Sequence, residues 1–431
     1  MKCVKSLSRF LRNFMSKALD LVKNIATVDQ MRQAVAAGLK PERRLKTNSH
    51  IHLPPNFSAF ETVEQAVTLA DEQDVRVLGV SNYYDYRVYD TFAELAGRKN
   101  IFPVFGLEII SLVDKYVKDG LRINDPGNPG RMYICGKGIT GFASPSLRAA
   151  ELLGTIRSRD EKRMAEMTAK VNAIFTAAGV AVNISDADVI DMVVKRHKCP
   201  KESVTLQERH VAMAFQQKFF DVVKPAGRAA ALSKIFNCQY AGKTDNDVAV
   251  QGDIRSYLMK AGKPAFVTET FLKFEEAYEL ILELGGIPCY PTLIDGAKTL
   301  CDYERTPEEL VAHLKENNIH MAELIPIRNK TDMLGRYVRA MRKADIAVVG
   351  GTEHNTLDLL PLEPQCVGGV EVEDDVREIF FEGMCVAAAH QYQRLNGLAG
   401  FVNSQGNRNA DIKVFADAGA ALIAKYFKKY C

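Results

Sequence analysis

The sequence predicts an α/β barrel of about seven strand–helix units, interrupted by a long helical segment. Two observations lead to this fold class. Short apolar runs of strand length alternate with amphipathic runs of helical length on both sides of the interruption. Polar and ionisable side chains also recur where the apolar runs end, which is where parallel barrels carry their functional residues. A closed parallel barrel is the usual packing of so many right-handed units.

Composition excludes several classes of protein. The chain has 431 residues, of which 47% are hydrophobic and 25% charged, as in globular proteins with a sizeable core. A net charge of +3 is too small to indicate a nucleic-acid partner. No apolar run reaches the roughly 18 residues of a membrane-spanning helix. Nine cysteines, an odd number without Cys-x-x-Cys pairing, indicate reduced thiols and a cytoplasmic location. The oligomeric state stays open.

An N-terminal helical extension is expected over residues 1–43. Residues 1–14 are basic and contain no acid, but they lack the uninterrupted apolar core of a signal peptide. They form either a solvated lead-in or a helix that lies on a membrane surface. Residues 17–39 have helical periodicity. Thr27 and Gln30 have the spacing of a capping box, which indicates that two helices meet there.

The first part of the barrel spans residues 44–143 and begins with a strand that contains His50 and His52. Pro54-Pro55 stops this strand, because proline cannot donate to a strand ladder. Side chains two residues apart on a strand share a face, so the two imidazoles lie side by side. They provide half of a site for a divalent metal. The alternative is two polar residues satisfied by water or backbone.

The rest of this part continues the alternation of strands and helices. Strands are expected at residues 76–81, 101–109 and 131–135, helices at 60–73 and 86–96, and a loop at 114–129. The strand at 101–109 ends on Glu108, which places a carboxylate at the same edge of the sheet as the two histidines.

A helical insertion follows over residues 144–262, and the barrel resumes over residues 263–360. Helices of the insertion are expected at residues 146–179, 185–195, 203–223 and 247–261. The second part of the barrel has expected strands at 264–268, 287–290, 320–325 and 345–350, with helices at 274–284, 306–317 and 332–343. Residues 361–431 add C-terminal helices at 374–395 and 409–428.

Several ionisable side chains at strand ends form a candidate metal site. Two imidazoles and two carboxylates from three strands make a mixed nitrogen–oxygen site that suits zinc, manganese or iron. The predicted ligands are His50, His52, Glu108 and Glu353, with His354 close by.

The order of the motifs resembles the PHP family (polymerase and histidinol phosphatase domains). The segments that carry the resemblance are Asn48-Ser49-His50-Ile51-His52, Leu78-Gly79-Val80-Ser81-Asn82-Tyr83, Phe105-Gly106-Leu107-Glu108, Ile287-Pro288-Cys289-Tyr290-Pro291 and Gly350-Gly351-Thr352-Glu353-His354. The resemblance implies a distorted (βα)7 barrel of PHP type with up to three metals, and many members are phosphoesterases. It covers neither the insertion nor the termini.

The departures from the family pattern are equally specific. Asn82 and Tyr83 stand where the family has Asp-His, and Tyr290 and Tyr133 stand where it has histidines. The resemblance therefore retains only the first metal position. It implies one bound divalent ion, or at most two.

Three kinds of residue are candidates for chemistry beside the metal. Arg328, at a strand end, would bind an anionic group of the substrate, unless it forms a surface salt bridge. Tyr83 and Tyr290 would donate hydrogen bonds to a developing anion, unless they only pack at the barrel rim. Glu269 would serve as general base, with an ordinary loop carboxylate as the alternative.

The insertion contributes two further candidates, Arg209 and His210, on one helix. They either reach over the barrel mouth as substrate ligands or belong to a solvated helix face.

These residues support three hypotheses of function. The first is a metal-dependent hydrolase, similar to a phosphoesterase, that uses a metal-activated water on a small anionic metabolite. The second is a one-metal lyase or isomerase acting on a sugar acid, for which the tyrosines would move a proton. The third is a non-catalytic, ligand-binding relic of the fold, which the missing family ligands favour.

Overall fold

A computed structural model describes residues 16–430 of the chain. The expectation for residues 1–14 lies outside this range. The strands are β1 Lys46–Ile51, β2 Val75–Val80, β3 Phe102–Leu112, β4 Arg131–Lys137, β5 Leu272–Lys273, β6 Ile287–Thr292, β7 Met321–Leu324, β8 Ala347–Gly350, β9 Gln365–Cys366 and β10 Val370–Glu371.

The helices of the barrel and termini are α1 Lys17–Lys23, α2 Val28–Ala36, α3 Val63–Glu72, α4 Val88–Arg98, α5 Asp114–Asp119, α11 Phe274–Glu283, α12 Pro307–Glu316, α13 Thr331–Lys343, α14 Asp374–Leu395 and α15 Ile412–Tyr430. Those between β4 and β5 are α6 Leu147–Ala177, α7 Asp186–His197, α8 Glu208–Val222, α9 Pro225–Ile235 and α10 Asp247–Ile254.

The strands form a nearly closed, barrel-like sheet in the order β1-β2-β3-β4-β6-β7-β8, with β5 added on β3. The barrel closes where β1 meets the segment that follows β8. Ile51 bridges Glu353 there. The amide of His52 donates to the Glu353 carbonyl at 2.8 Å, and the amide of Glu353 donates to the His50 carbonyl at 2.8 Å. Closure therefore places Glu353 beside the two histidines along the backbone.

The expectation of an all-parallel barrel is wrong at β4. This strand runs antiparallel to both β3 and β6. Only residues 113–130, with the short helix α5, connect β3 to β4, and such a connection carries no crossover helix of the kind that a parallel pair requires. The reversal brings the start of β4, including Arg131 and Tyr133, to the rim where β3 ends.

Two other local expectations are wrong. Residues 264–268 form no strand, because Ala265 and Val267 pack into the core of the insertion instead. The two-residue strand β5 follows them and pairs with the end of β3. Residues 114–129 contain α5, which ends at Gly120 with a left-handed φ of 67°.

Other local predictions are confirmed. Thr27 caps α2 through a capping box with Gln30. Thr306 caps α12, whose first residue is Pro307. Cys135, Cys289 and Cys385 are core residues, and the cysteines within the described range are free.

The insertion has a hydrophobic core of its own, built from residues between Met164 and Val267. It docks on the barrel mouth through polar contacts. The amide of Phe57 donates to Oε1 of Gln207 at 2.7 Å, and Arg157 pairs with Asp85 at 3.0 Å. The insertion thus forms a roof over the ends of the barrel strands.

Hydrophobic packing of the C-terminal helices completes the barrel. α14 packs against β8, β1 and α15, and its middle is buried from Gly383 to Tyr392.

Among the helices of residues 16–430, none combines the length and apolar character that crossing a bilayer requires.

Candidate metal centre

Three side-chain atoms converge at the mouth of the barrel. Nε2 of His50 and Nε2 of His52 lie 3.2 Å apart. Oε2 of Glu108 lies 3.1 Å from Nε2 of His52 and 3.5 Å from Nε2 of His50. All three residues are buried. Ligands at 2.0–2.1 Å from a tetrahedral zinc ion are about 3.4 Å from one another, so this spacing suits one small cation.

The local sequence explains why the histidines converge. β1 ends at Ile51, and period-two alternation turns His50 and His52 to the interior while Ile51 packs in the core. Glu108 reaches the same point because β3 is long and continues past the end of β2, whose Val80 pairs with Phe105.

Glu323, on β7, lies behind the first histidine. Its Oε2 is 2.7 Å from Nδ1 of His50, which fixes Nδ1 as a donor and turns Nε2 toward the site. Burial lowers the pKa of His50, but the charge of Glu323 outweighs this and raises it to about 9. A more basic Nε2 is also a better ligand for a metal ion.

Lys137, on β4, holds Glu323 in place. Its ammonium lies 2.6 Å from Oε1 of Glu323 and also donates to the Ser49 carbonyl at 3.0 Å. The Ser49 hydroxyl donates to the same carboxylate oxygen at 2.5 Å. Burial raises the pKa of Glu323, but the Lys137 charge prevails and lowers it to about 2. The site therefore rests on a buried, ionised pair.

The acid–base state of the remaining two ligands suits a cation. Burial lowers the pKa of His52, so this imidazole is neutral. Burial alone would raise the pKa of Glu108, but its close contacts with the ring nitrogens of His50 and His52 hold it well below its usual range. Oε2 of Glu108 has no conventional hydrogen-bond partner among the described residues. An orphaned carboxylate oxygen facing two imidazole nitrogens is the arrangement a bound metal would satisfy.

Cys135 offers a second possible grouping with His50 and Glu323. Burial raises the pKa of its thiol well above the ordinary value, which keeps the sulfur protonated. Since metals bind the thiolate, and since Glu323 already accepts from Lys137 and Ser49, this grouping is the poorer site.

Glu353 lines the same cavity, but its carboxylate is engaged by other side chains. Arg328 pairs with it in a bidentate way, at 2.8 Å and 2.5 Å. Asn355 donates to Oε2 of Glu353 at 2.7 Å. The charge of Glu353 raises the pKa of Arg328. The structure thus brings together three of the predicted metal ligands and places the fourth in an ion pair beside them.

His354, the fifth predicted metal ligand, faces away from the others. Its ring nitrogens contact Oγ1 of Thr352 at 2.7 Å and the Leu360 carbonyl at 2.9 Å, and the ring stacks on Phe60. Glu353 and His354 both have left-handed φ angles, of 60° and 53°. This turn of the backbone separates two side chains that are adjacent in sequence.

Tyr290 and His210 also lie apart from the cavity. Tyr290 is fully buried, and its hydroxyl donates to Glu304 at 2.9 Å. Nδ1 of His210 accepts the Gln207 amide at 3.0 Å and so caps the start of α8. Burial lowers the pKa of His210 to about 3, which keeps the ring neutral.

Tyr83 does line the cavity and stacks on His52, with ring centroids 5.0 Å apart and an interplanar angle of 8°. Burial raises the pKa of its hydroxyl well above the ordinary value, so Tyr83 stays protonated and can donate. Tyr133, on β4, lines the same wall. Asn82 instead bridges to Leu53, donating to its carbonyl at 2.9 Å and accepting its amide at 2.8 Å.

The cavity has a volume of about 390 Å³ and lies between the barrel mouth and the insertion. This size suits a small metabolite. Glu269, at its edge, is paired with Arg131 and lies 3.1 Å from Arg163. Arg209 reaches into the cavity from the first turn of α8. Of the catalytic candidates, Arg328, Tyr83, Glu269 and Arg209 line this cavity.

Glu323 and Lys137 are site residues that sequence reasoning missed. Each is a charged residue in an apolar strand, within Met321–Leu324 and Arg131–Lys137. Because burial of a single charge is costly, an acid in one buried strand and a base in another are a signal that the two pair.

Comparison with known proteins supports the class of fold. No protein-family model matches the sequence, and no curated protein matches it significantly. Among solved structures, an amidohydrolase from Chromobacterium violaceum, with bound sulfate and no metal, aligns with a TM-score of 0.50 and 16% identity. The alignment covers 78% of this chain and 95% of that chain.

A second solved structure, from Bifidobacterium adolescentis, is described as a candidate metal-dependent phosphoesterase. It aligns with a TM-score of 0.50 and 15% identity, over 79% of this chain and 96% of that one. At such identities the likeness establishes a shared fold that extends over most of each chain.

Proposed function

We propose that the protein is a metal-dependent hydrolase of the phosphoesterase type that acts on a small anionic metabolite. The observation that carries the proposal is the convergence of His50, His52 and Glu108 beside a small cavity that Glu108 lines. Three protein ligands with an open side are typical of catalytic metal sites. The descriptions of both structural neighbours as hydrolases support the same class, as does the resemblance to the PHP family.

A divalent ion held by these three residues would supply Lewis acidity, which polarises a substrate oxygen and makes water more acidic. The side chains around it have separate tasks. Glu323 orients the His50 ring, and Tyr83 donates a hydrogen bond from its protonated hydroxyl to an oxygen that gains negative charge. Arg328, held by Glu353, presents its guanidinium to the anionic group. The insertion covers one side of the cavity and so limits its contact with bulk water.

This assignment modifies the role predicted for Glu353. With both oxygens paired to Arg328, Glu353 acts as a positioning residue for the guanidinium and leaves the ion to three ligands. In the same proposal Glu269, which is neutralised by two arginines, is a structural carboxylate rather than a general base.

Metal analysis and a chelator-sensitive assay test the proposal. Purified protein should hold about one equivalent of Zn, Mn or Fe and should hydrolyse p-nitrophenyl phosphate. Both properties should be lost in His52→Ala, and activity should be lost after chelation and return when the metal is restored. His313→Ala, in a helix outside the cavity, is the matched control and should behave as wild type.

Other outcomes favour the other hypotheses. Bound metal without hydrolysis of phosphate esters, together with turnover of sugar acids, would indicate the lyase or isomerase. Metal-free protein whose properties do not change in His52→Ala would indicate the non-catalytic relic.

A further inference from the structure

The roof of the cavity has more positive than negative charge. Glu208, the first residue of α8, accepts three cations: Arg163 at 2.6 Å, Lys260 at 2.8 Å and Arg255 at 3.5 Å. Burial raises the pKa of Glu208, but Lys260 and Arg163 lower it to about 2. A single ionised carboxylate thus contacts three positively charged side chains, so the roof of the cavity keeps a net positive charge.

The same imbalance holds when the wall beneath the roof is included. Arg131 pairs with Asp125 at 3.2 Å and with Glu269, and Asp160 adds one more carboxylate. Away from the metal centre and from the Arg328–Glu353 pair, five cations face four carboxylates: Arg131, Arg163, Arg209, Arg255 and Lys260, against Asp125, Asp160, Glu208 and Glu269.

Arg209 is the cation that this network leaves without a carboxylate. Among the described residues it forms no ion pair, and its guanidinium lies over the Phe57 ring, 5.8 Å from the centroid. Burial and the neighbouring Arg255 lower its pKa to about 10, so the side chain remains charged at neutral pH. A partly buried, unpaired guanidinium in a cavity is a typical ligand for phosphate or carboxylate oxygens.

We propose that Arg209 binds a second anionic group of the substrate, on the side of the cavity that the insertion forms. The substrate is then a small metabolite with the reacting group at the barrel mouth and a terminal phosphate or carboxylate under the roof. This inference rests on the proposed function, and it makes the insertion the part of the chain that selects the substrate. Arg328 of the barrel would then bind the anionic group that reacts, and Arg209 of the insertion would bind the second one.

Anion binding to chelator-treated, full-length protein tests the site without reference to catalysis. Inorganic phosphate and acetate are titrated separately by calorimetry at fixed ionic strength, and the stronger ligand identifies the terminal group. Wild type should bind at least one of them. Arg209→Met should weaken that binding by about tenfold, because it removes a charged, bidentate donor. Arg209→Lys keeps the positive charge but lacks the two parallel N–H donors of a guanidinium. Its anion affinity should lie between those of Arg209→Met and wild type.

Arg228→Met is the matched control, since Arg228 also belongs to the insertion and lies over a phenyl ring, that of Phe220 at 3.6 Å. It should leave anion affinity within about twofold of wild type. Circular dichroism of each variant verifies folding. Wild-type anion affinity in Arg209→Met, or absence of binding of both anions by chelated wild type, would overturn the inference.

The metal-loaded protein separates this inference from the proposed function. Loaded wild type should bind a second equivalent of anion that Arg209→Met lacks, while both retain equal metal. Protein that never holds metal but shows Arg209-dependent anion binding would refute the hydrolase and retain the anion site.

Discussion

Oε2 of Glu323 lies 2.7 Å from Nδ1 of His50, on the side of the ring opposite the cavity. This contact fixes which nitrogen of His50 faces Glu108 and His52. It also ties the candidate metal centre to a buried ion pair, since Lys137 lies 2.6 Å from the other oxygen of Glu323.

Glu323→Gln should weaken metal affinity about 10- to 100-fold, because the amide no longer supplies the negative charge that makes His50 basic. It should also lower the free energy of unfolding by about 3–5 kcal/mol, since Lys137 is left as an unpaired buried charge. Metal titration and urea denaturation measure the two effects. Glu316→Gln, in the exposed last turn of α12, is the control.

The double variant Glu323→Gln/Lys137→Met separates the two effects. It should recover much of the lost stability while metal affinity stays low. Metal affinity equal to that of wild type in either variant would contradict the role given to Glu323.

Glu353→Gln should retain metal and lose substrate affinity, because Glu353 holds Arg328 rather than the ion. The Michaelis constant should rise about tenfold, as expected when an anion-binding guanidinium loses its fixed orientation. Glu108→Gln is the matched variant and should lose the metal. Metal content that falls equally in both variants would make Glu353 a fourth ligand.

Gly79→Ala should prevent stable folding of the site. A Cβ at this position on β2 would lie 2.3 Å from the Ser49 carbonyl oxygen, next to His50. Backbone of β1 cannot move away without breaking its pairing, so we expect a loss of several kcal/mol, on the order of 3. Thermal unfolding measures it.

The matched control for this variant is Gly154→Ala in α6, where the added methyl meets no atom within 4 Å. Alanine is the better helix former, so this change should raise stability by up to about 1 kcal/mol. Equal melting temperatures for the two alanine variants would refute the steric argument.

Glu304 should make stability fall as pH rises. Burial raises its pKa from 4.5 to about 7, despite hydrogen bonds from the amides of Ile294 and Leu293. Between pH 4.5 and about pH 7, Glu304 holds a proton in the folded protein that it has released in the unfolded chain. The stabilisation of the folded state by protonated Glu304 is therefore fully present below about pH 4.5 and is lost as pH approaches and passes 7.

Glu304→Gln, which resembles the protonated acid, should remove this dependence, whose size is on the order of 3 kcal/mol. Urea denaturation at a series of pH values between 5 and 8 measures it. Glu308→Gln, at an exposed position of α12, should keep the wild-type profile. If the free energy of unfolding of Glu304→Gln depends on pH as steeply as that of wild type, another group is responsible for the dependence.

Much of the site follows from strand periodicity alone. The side-chain period of two places His50 and His52 on one face, and the end of a long apolar strand supplies Glu108. The alternation of strand-like and helical runs likewise determines an α/β barrel with a helical insertion. These features depend on residues that are near one another along the chain, so they can be predicted from the sequence.

The remaining features depend on contacts between distant segments. Only the folded chain places Glu323 of β7 behind His50 of β1 and pairs Arg328 with Glu353. The reversal of β4 brings its first residues to the end of β3, and the left-handed turn at His354 separates its ring from the Glu353 side chain. Sequence therefore determined that two imidazoles and a carboxylate reach the barrel mouth, whereas tertiary structure decided which ionisable groups face the candidate metal site and which face one another, because partner choice among buried charges depends on distances that chain order does not encode.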